Sequence, residues 1–117
     1  MTLFDITQLG LERAIQGSAM RQTALSQNIA NANTPGYRRR DVDFHGALRD
    51  AMDRGRDIEG VQFSESVDGS AVMRADGGTV DIDVESANLA KNALEYESLV
   101  SAARARIDIL KAAMGVQ

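Results

Sequence analysis

The chain has 117 residues, a formal net charge of −4, 44 % hydrophobic residues, one His, no Cys and no Trp, with three Phe and two Tyr as its only aromatic residues. That is one domain's worth of residues, whose core must come mainly from Ala, Leu, Ile, Val and Met. It excludes disulfides, thiolate zinc sites, cysteine nucleophiles and metal chemistry that needs two His from one chain.

Residues 1–33 carry two acids and two bases. Residues 34–58 carry six Arg against five Asp, residues 59–85 seven acids against one Arg, and residues 86–117 four bases against three acids. Acidity therefore collects in the middle. No basic face offers itself to phosphates, so no nucleic-acid partner is expected. Arg38-Arg39-Arg40 is followed at once by Asp41 and Asp43, which reads as a solvated charge mixture. No run of 18 apolar residues suggests a membrane span. The first residues lack a basic start, an apolar stretch and a cleavage site, so no cleavable signal peptide is expected.

In the first segment Phe4, Gln8, Leu11, Ile15, Ser18, Gln22, Leu25, Ile29 and Ala32 alternate spacings of four and three. This predicts a helix over about 3–32 with a coiled-coil seam interrupted by Gln8, Ser18 and Gln22. A second line, Gly10, Ala14, Gly17, Arg21 and Ala24, is mostly small and lets another backbone approach closely. Each Gly costs about 1 kcal/mol of helix propensity relative to Ala, so this helix needs partners on more than one face.

The helix must stop before Pro35, which disfavours α conformation at Thr34. Thr34-Pro35-Gly36-Tyr37 has Pro and Gly where a type II turn places them, with Gly36 at positive φ. Asn28 and Asn31 lie about one helical turn apart and are expected to brace the reversal, at about 1 kcal/mol of hydrogen bonding each. Tyr37 then folds back on the helix end.

Between residues 38 and 57 a short helix is predicted, with Phe44, Ala47, Leu48, Ala51 and Met52 on one face. Residues 58–85 read as extended, with turns at Asp68-Gly69-Ser70 and Asp76-Gly77-Gly78 and a small hairpin across the latter. Asp81, Asp83 and Glu85 would then share one side of a strand, solvated or facing a neighbour. Such short strands need the helices or another chain to lie on.

The last segment is the most regular. Leu89, Ala93, Tyr96, Val100, Ala103, Ile107, Leu110 and Met114 follow at alternating spacings of four and three, without Pro or Gly until Gly115. A helix of about 28 residues is predicted, with Ser86 as its N-cap. The division is a coiled-coil helix over 1–33, a turn, short helix and extended middle over 34–85, and a second coiled-coil helix over 86–117, in one structural domain. The fold class is mainly α: two long terminal helices paired as an antiparallel coiled coil, with an irregular or β-hairpin middle. Two readings of the helices stay open, a self-contained small bundle or a chain that gains its core from neighbouring copies.

No phosphate loop, nucleophile elbow or zinc-protease pattern is present. His45 has no adjacent nucleophile and reads as a surface residue. Asp81, Asp83 and Glu85 lack the order of a calcium loop. Neither an enzyme nor a cofactor, metal or small-molecule substrate is expected.

The run Asn28 to Tyr37 resembles the signature near the N-terminus of bacterial flagellar rod and hook proteins. The likeness continues in Arg40-Asp41-Val42-Asp43-Phe44, in Gly78-Thr79-Val80-Asp81-Ile82-Asp83-Val84-Glu85 and in Leu89-Ala90-Lys91-Asn92-Ala93-Leu94-Glu95-Tyr96. These runs span residues 28–96, more than half the chain, in family order, and the two middle ones resemble the proximal rod subunit within the basal-body rod family. Gly78, where Asn is expected, and the Ala-Arg-rich stretch 102–106 depart from the pattern. The resemblance implies export by the flagellar type III apparatus without a cleaved signal and assembly in the periplasmic part of the basal body. It implies terminal helices forming the inner coiled-coil layer of a helical tube that transmits torque and encloses the export channel. The implied partners are copies of the chain, other rod subunits, the basal adaptor, the export gate and the membrane ring. The seam residues Leu11, Ile15, Leu25 and Ile29, with the C-terminal seam above, are the expected assembly residues. The alternatives are another rod subunit, or a soluble coiled-coil adaptor that forms a small closed oligomer.

Overall fold

The computed structural model describes residues 3–55, 57–70, 72–74 and 77–115, with side chains from residue 6 onward. Helix α1 spans Leu3–Ala30, strand β1 Arg40–Asp41, helix α2 Phe44–Asp53, strand β2 Ser66–Val67 and helix α3 Ile82–Ala113. The two long helices pair antiparallel: Ser18 meets Asn92, while Asn28, ten residues later, meets Glu85, earlier in α3. This is the mainly helical hairpin that the terminal periodicities predict. Its principal extents are 61 × 31 × 14 Å. The two long helices lie side by side, and α2 and the ladder pack over one face of α1.

Helix α1 buries two lines of residues. Ser18 and Leu25 face α3, while Gly17 and Ala24 face the middle segment. The small-residue line of the sequence thus has an occupant from its own chain. Phe44, at the start of α2, sits so close over Gly17 that a Cβ there would lie 2.7 Å from the ring's Cγ. Ala24, Val42 and Phe44 form the core cluster, with Ala14, Leu48 and Phe63 around it. Phe63 meets Phe44 edge-on at 6.4 Å, and the Arg13 guanidinium lies 4.9 Å above the Phe63 ring. Asp43 caps α2, its carboxylate accepting from the Gly46 N–H at 3.0 Å.

Two details differ from the sequence reading. Helix α3 begins at Ile82, capped not by Ser86 but by Asp81, whose carboxylate accepts from the Asp83 and Val84 N–H groups at 3.0 and 3.3 Å. The apolar alternation of Val80, Ile82 and Val84 mimics a strand. An acid that satisfies free amides at the positive end of the helix dipole outweighs that pattern. The two-stranded ladder joins β1 to β2, with Arg40 opposite Val67 and Asp41 opposite Ser66. At the predicted hairpin the chain does turn, through bonds from the Gly77 N–H to the Arg74 carbonyl and from the Arg74 N–H to the Gly78 carbonyl. Asp76 and Ala71 lie outside the described residues.

Candidate functional site

The turn after α1 is built as its sequence requires. The Tyr37 N–H donates to the Thr34 carbonyl at 3.2 Å, and Gly36 has φ +77° with open space around it. Asn31 closes the end of α1. Its amide donates to the Gln27 carbonyl at 2.9 Å, and its oxygen accepts from the Thr34 hydroxyl at 3.1 Å. Pro35 and Gly36 are exposed, whereas Tyr37 turns back and is half-buried.

Asn28 does more than brace the turn. It is fully buried and uses every polar site it has. Its NH2 donates to the Arg40 carbonyl at 2.7 Å and to Glu85 Oε1 at 2.9 Å. Its oxygen accepts from the Tyr37 hydroxyl at 2.9 Å and from the Arg40 N–H at 3.0 Å. The side chain thus bonds both polar groups of the Arg40 backbone, as a neighbouring strand would, and ties the turn to the first turn of α3.

Arg39 is the second centre. The strand-like alternation of 38–40 sends Arg38 and Arg40 outward and Arg39 inward, where its side chain is only 12 % exposed. The Arg triplet is therefore not wholly solvated. Arg39 donates from Nε to Glu85 Oε2 at 3.1 Å and from Nη2 to Oε1 at 2.8 Å, and it also pairs with Asp68 and Asp41. Its backbone N–H donates to the Thr79 hydroxyl at 2.8 Å, and its carbonyl accepts from the Asp68 N–H at 3.0 Å. Hydrogen bonding to Glu85 raises the Arg39 pKa above its ordinary value, against the opposing effect of burial. Glu85 is 1 % exposed, on a helix rather than a strand, so it is neither solvated nor facing a neighbour. Removing one partner of such a buried, doubly bonded pair costs about 3–5 kcal/mol.

Arg21 extends the network. Its Nε donates to Asp41 Oδ1 at 2.8 Å. Burial pushes the Asp41 carboxyl up, but the bonds from Arg21 and from the Val42 N–H outweigh it and leave the pKa lowered. Asp68 is lowered chiefly by the Ser70 hydroxyl and N–H, with Arg39 adding to them. Burial, then the nearby Glu65 charge, raise the Tyr37 phenol.

Between the long helices lies a second polar contact. Asn92 is fully buried, donating to the Ser18 carbonyl at 2.9 Å and to Gln22 Oε1 at 2.7 Å. Two of the polar interruptions in the α1 seam, Ser18 and Gln22, are therefore its partners. A single buried amide of this kind fixes register between paired helices at some cost in stability.

Of the seam residues, Leu25 and Ala103 are buried in the single chain, and Leu11, Ile15, Ile29, Leu89, Ala93, Val100 and Leu110 are half-buried. Tyr96, Ile107 and Met114 are exposed, at 38, 40 and 68 %. Asn28, Asn31, Thr34 and Tyr37 are joined in one constellation. Sequence reasoning reads Arg39 as part of a solvated charge mixture and Glu85 as one side of a solvated or neighbour-facing strand, and it gives Asn92 no role of its own. Their only signal was polarity interrupting an otherwise apolar or solvated pattern. His45 is exposed and pairs with Glu95 of α3. No helix among the described residues is long and apolar enough to cross a membrane.

Residues 11–38, which include the turn and the Asn28 constellation, match the family described as flagella basal body rod protein. The chain is similar to the flagellar basal body rod protein FlgB of Escherichia coli K12, 35 % identical over 115 residues and covering 82 % of this chain and 83 % of that one. It is 36 % identical over 105 residues to the FlgB of Salmonella typhimurium, covering 74 and 76 %. Against the FlgB of Bacillus subtilis it is 30 % identical over 122 residues, covering 95 % of each. The likeness runs from the signature turn through both long helices, and on that ground the chain belongs to the flagellar basal body rod family, as a structural subunit of the proximal rod and not an enzyme.

Proposed function

We propose that the chain forms part of the wall of a helical tube, its α1–α3 hairpin standing beside hairpins of its own copies and of other rod subunits. In this reading 1–33 and 86–117 are the wall-forming segments, and 34–85 is the middle segment they carry. The tube transmits torque and encloses the export channel in the periplasmic part of the basal body. The subunit arrives through the flagellar type III apparatus without a cleaved signal, and its basal neighbours are the adaptor, the export gate and the membrane ring.

The observation that supports this most directly is the shape. A compact domain of this length has a radius of gyration of about 13 Å, whereas this chain has 17.5 Å. The face of α1 turned away from α2 stays outside the core, with Ala19, Thr23, Ser26 and Ala30 exposed along it. Tyr96, Ile107 and Met114, exposed on α3, are the part of the seam left for neighbours. A closed soluble oligomer is the competing reading, and purified basal bodies decide between them. With the gene deleted in the native bacterium and a tagged copy supplied, swimming returns and the tagged chain is found in basal bodies. A tagged chain that restores nothing and stays as a dimer or tetramer in the soluble fraction refutes the proposal.

A further inference from the structure

The two flat faces of the hairpin differ. On one, α2 and the ladder cover α1. On the other, α1 presents Gln16, Ala19, Thr23, Ser26 and Ala30, all exposed at alternating spacings of three and four, with no charge among them. Beside this line a groove of about 360 Å³ opens between the helices, lined by Ala19, Gln22, Thr23, Ala93, Tyr96 and Glu97. Its floor is small and apolar.

Helix α3 carries the converse feature on its other side. Val84, Ala87, Lys91, Leu94, Ser98, Ala102, Ala105, Ile109 and Ala112 also follow at spacings of three and four, and all are exposed. Leu94 is 66 % exposed and Ile109 64 %. Residues two apart on a helix point about 200° away from each other, so Leu94 faces away from the groove that Tyr96 lines. On the α3 line Val84, Leu94 and Ile109 stand out as large apolar knobs among Ala, Ser98 and Lys91, whereas the α1 line is uncharged and mostly small.

We propose that the front of one copy receives the back of the next, Leu94 of one subunit seating in the Ala19–Thr23–Ala93–Tyr96 groove of its neighbour. The inference rests on the rod reading and names the interface that reading leaves open. A second copy is favoured over an unrelated helix by charge. Lys91 is the sole charge on the Leu94 line and Glu97 the sole charge in the groove lining, and among the described residues neither has a partner. With Leu94 seated, Lys91 lies one turn away, within reach of Glu97. A front-to-back contact uses two different surfaces, so it does not close on itself as a twofold dimer and propagates into a ring or helix. The shared stripe is roughly 30 Å by 10 Å, or about 300 Å² a side, well short of the roughly 800 Å² per partner that a stable pair buries. Two free copies therefore hold poorly, and a subunit gripped on both faces in an array holds well.

The chain has no cysteine, so single-cysteine variants report cleanly. Thr23→Cys and Leu94→Cys copies, one carrying a tag, are expressed together in the deletion strain, and their basal bodies are oxidised. Each copy holds one thiol, so a disulfide between two such chains reports one contact between copies, and their mass on a non-reducing gel separates it from a bond to any other protein. Both positions are exposed, and circular dichroism checks that each variant keeps the wild-type fold. The expected result is a mixed disulfide that exceeds both like pairs several-fold. Like pairs in excess, or no disulfide although both variants are present in basal bodies, overturn the interface and leave the rod reading standing. Absence of the wild-type chain from basal bodies overturns the rod reading and the interface with it. In a second arm, Lys91→Glu sets like charges together and is expected to cause a several-fold loss of incorporation, which Lys91→Glu with Glu97→Lys restores. A single reversal that incorporates like wild type, or a double exchange that fails to restore, overturns the proposal.

Discussion

Replacing Asn28 by Ala tests the constellation at its most connected residue. Read from the sequence alone, Asn28 is a turn brace worth about 1 kcal/mol. The structure gives it four bonds, two of them to the N–H and carbonyl of Arg40. An unsatisfied polar group costs about 1–3 kcal/mol according to its burial. Both Arg40 groups are part-buried, so water replaces some of what is lost, and the loss comes to about 3 kcal/mol. At about 1.4 kcal/mol per factor of ten, that is roughly a hundredfold in the local opening equilibrium. Amide hydrogen exchange reads this residue by residue, in an osmolyte that favours the compact chain. The Arg40 amide should lose about a hundredfold in protection, while amides near Leu11 in α1 change little. Asn28→Asp is the informative companion. It keeps acceptors for Tyr37 and Arg40 but sets a carboxylate against Glu85, so it should be worse than Ala near neutral pH and recover on acidification. Unchanged protection of the Arg40 amide in Asn28→Ala would refute the argument.

Gly17→Ala forces the new Cβ into Phe44 and should destabilise by about 1–3 kcal/mol, seen as a lower thermal midpoint; a midpoint equal to wild type means α2 can move aside freely. At Gly36 the surroundings are open, so Gly36→Val meets no clash and pays the conformational term of about 1–2 kcal/mol, and Gly36→Asn should be milder in the same melt. Asp41 and Asp68 have folded pKa values below the ordinary 3.8, so the stability they contribute is complete above that value and is lost as pH falls through the lower folded values. Tyr37 has the opposite sign: its pKa is raised above 10.0, so its contribution is present below that value and is lost as pH rises through the folded one. Urea midpoints measured across pH should therefore form a plateau that drops at both ends. Arg21→Ala should move the acid limb to higher pH, because it removes a bond that lowers Asp41.

Much of the architecture is legible in residue spacing. Both long helices, the short helix headed by Phe44 and the reversal at Pro35-Gly36 follow from patterns within a few residues of each other. The small-residue line through Gly17 and Ala24 announces a close approach, though not that the visitor is Phe44 of the same chain. What stays hidden depends on partners far apart in sequence. Asn92 and Glu85 are polar, and a reading by hydrophobicity turns α3 to face its apolar line. Ser18, Gln22, Asn28 and Arg39 make those two positions habitable inside. Thr79 to Asp83 alternates like a strand, and only the fit of the Asp81 carboxylate to two free amides makes it a helix start. The β1–β2 pairing spans more than twenty residues, with no short-range mark beyond two ordinary strand-forming runs.

The ladder has a consequence for how the chain tolerates change. Arg40 and Asp41 lie against Val67 and Ser66, so everything between them leaves the hairpin and returns to it through one narrow neck. Arg39 ties that neck shut by holding Asp68 on one side and Glu85 on the other. Lengthening a loop whose ends are already fixed costs little, only about 0.6 kcal/mol for each doubling. The exposed tip just past α2, at Asp53 to Gly55, can therefore accept inserted residues without disturbing the hairpin below, provided Phe44 and Ala51 keep their seats on α1. A chain built on this plan can thus grow at one place, adding new contact surface there while its two long helices keep their pairing.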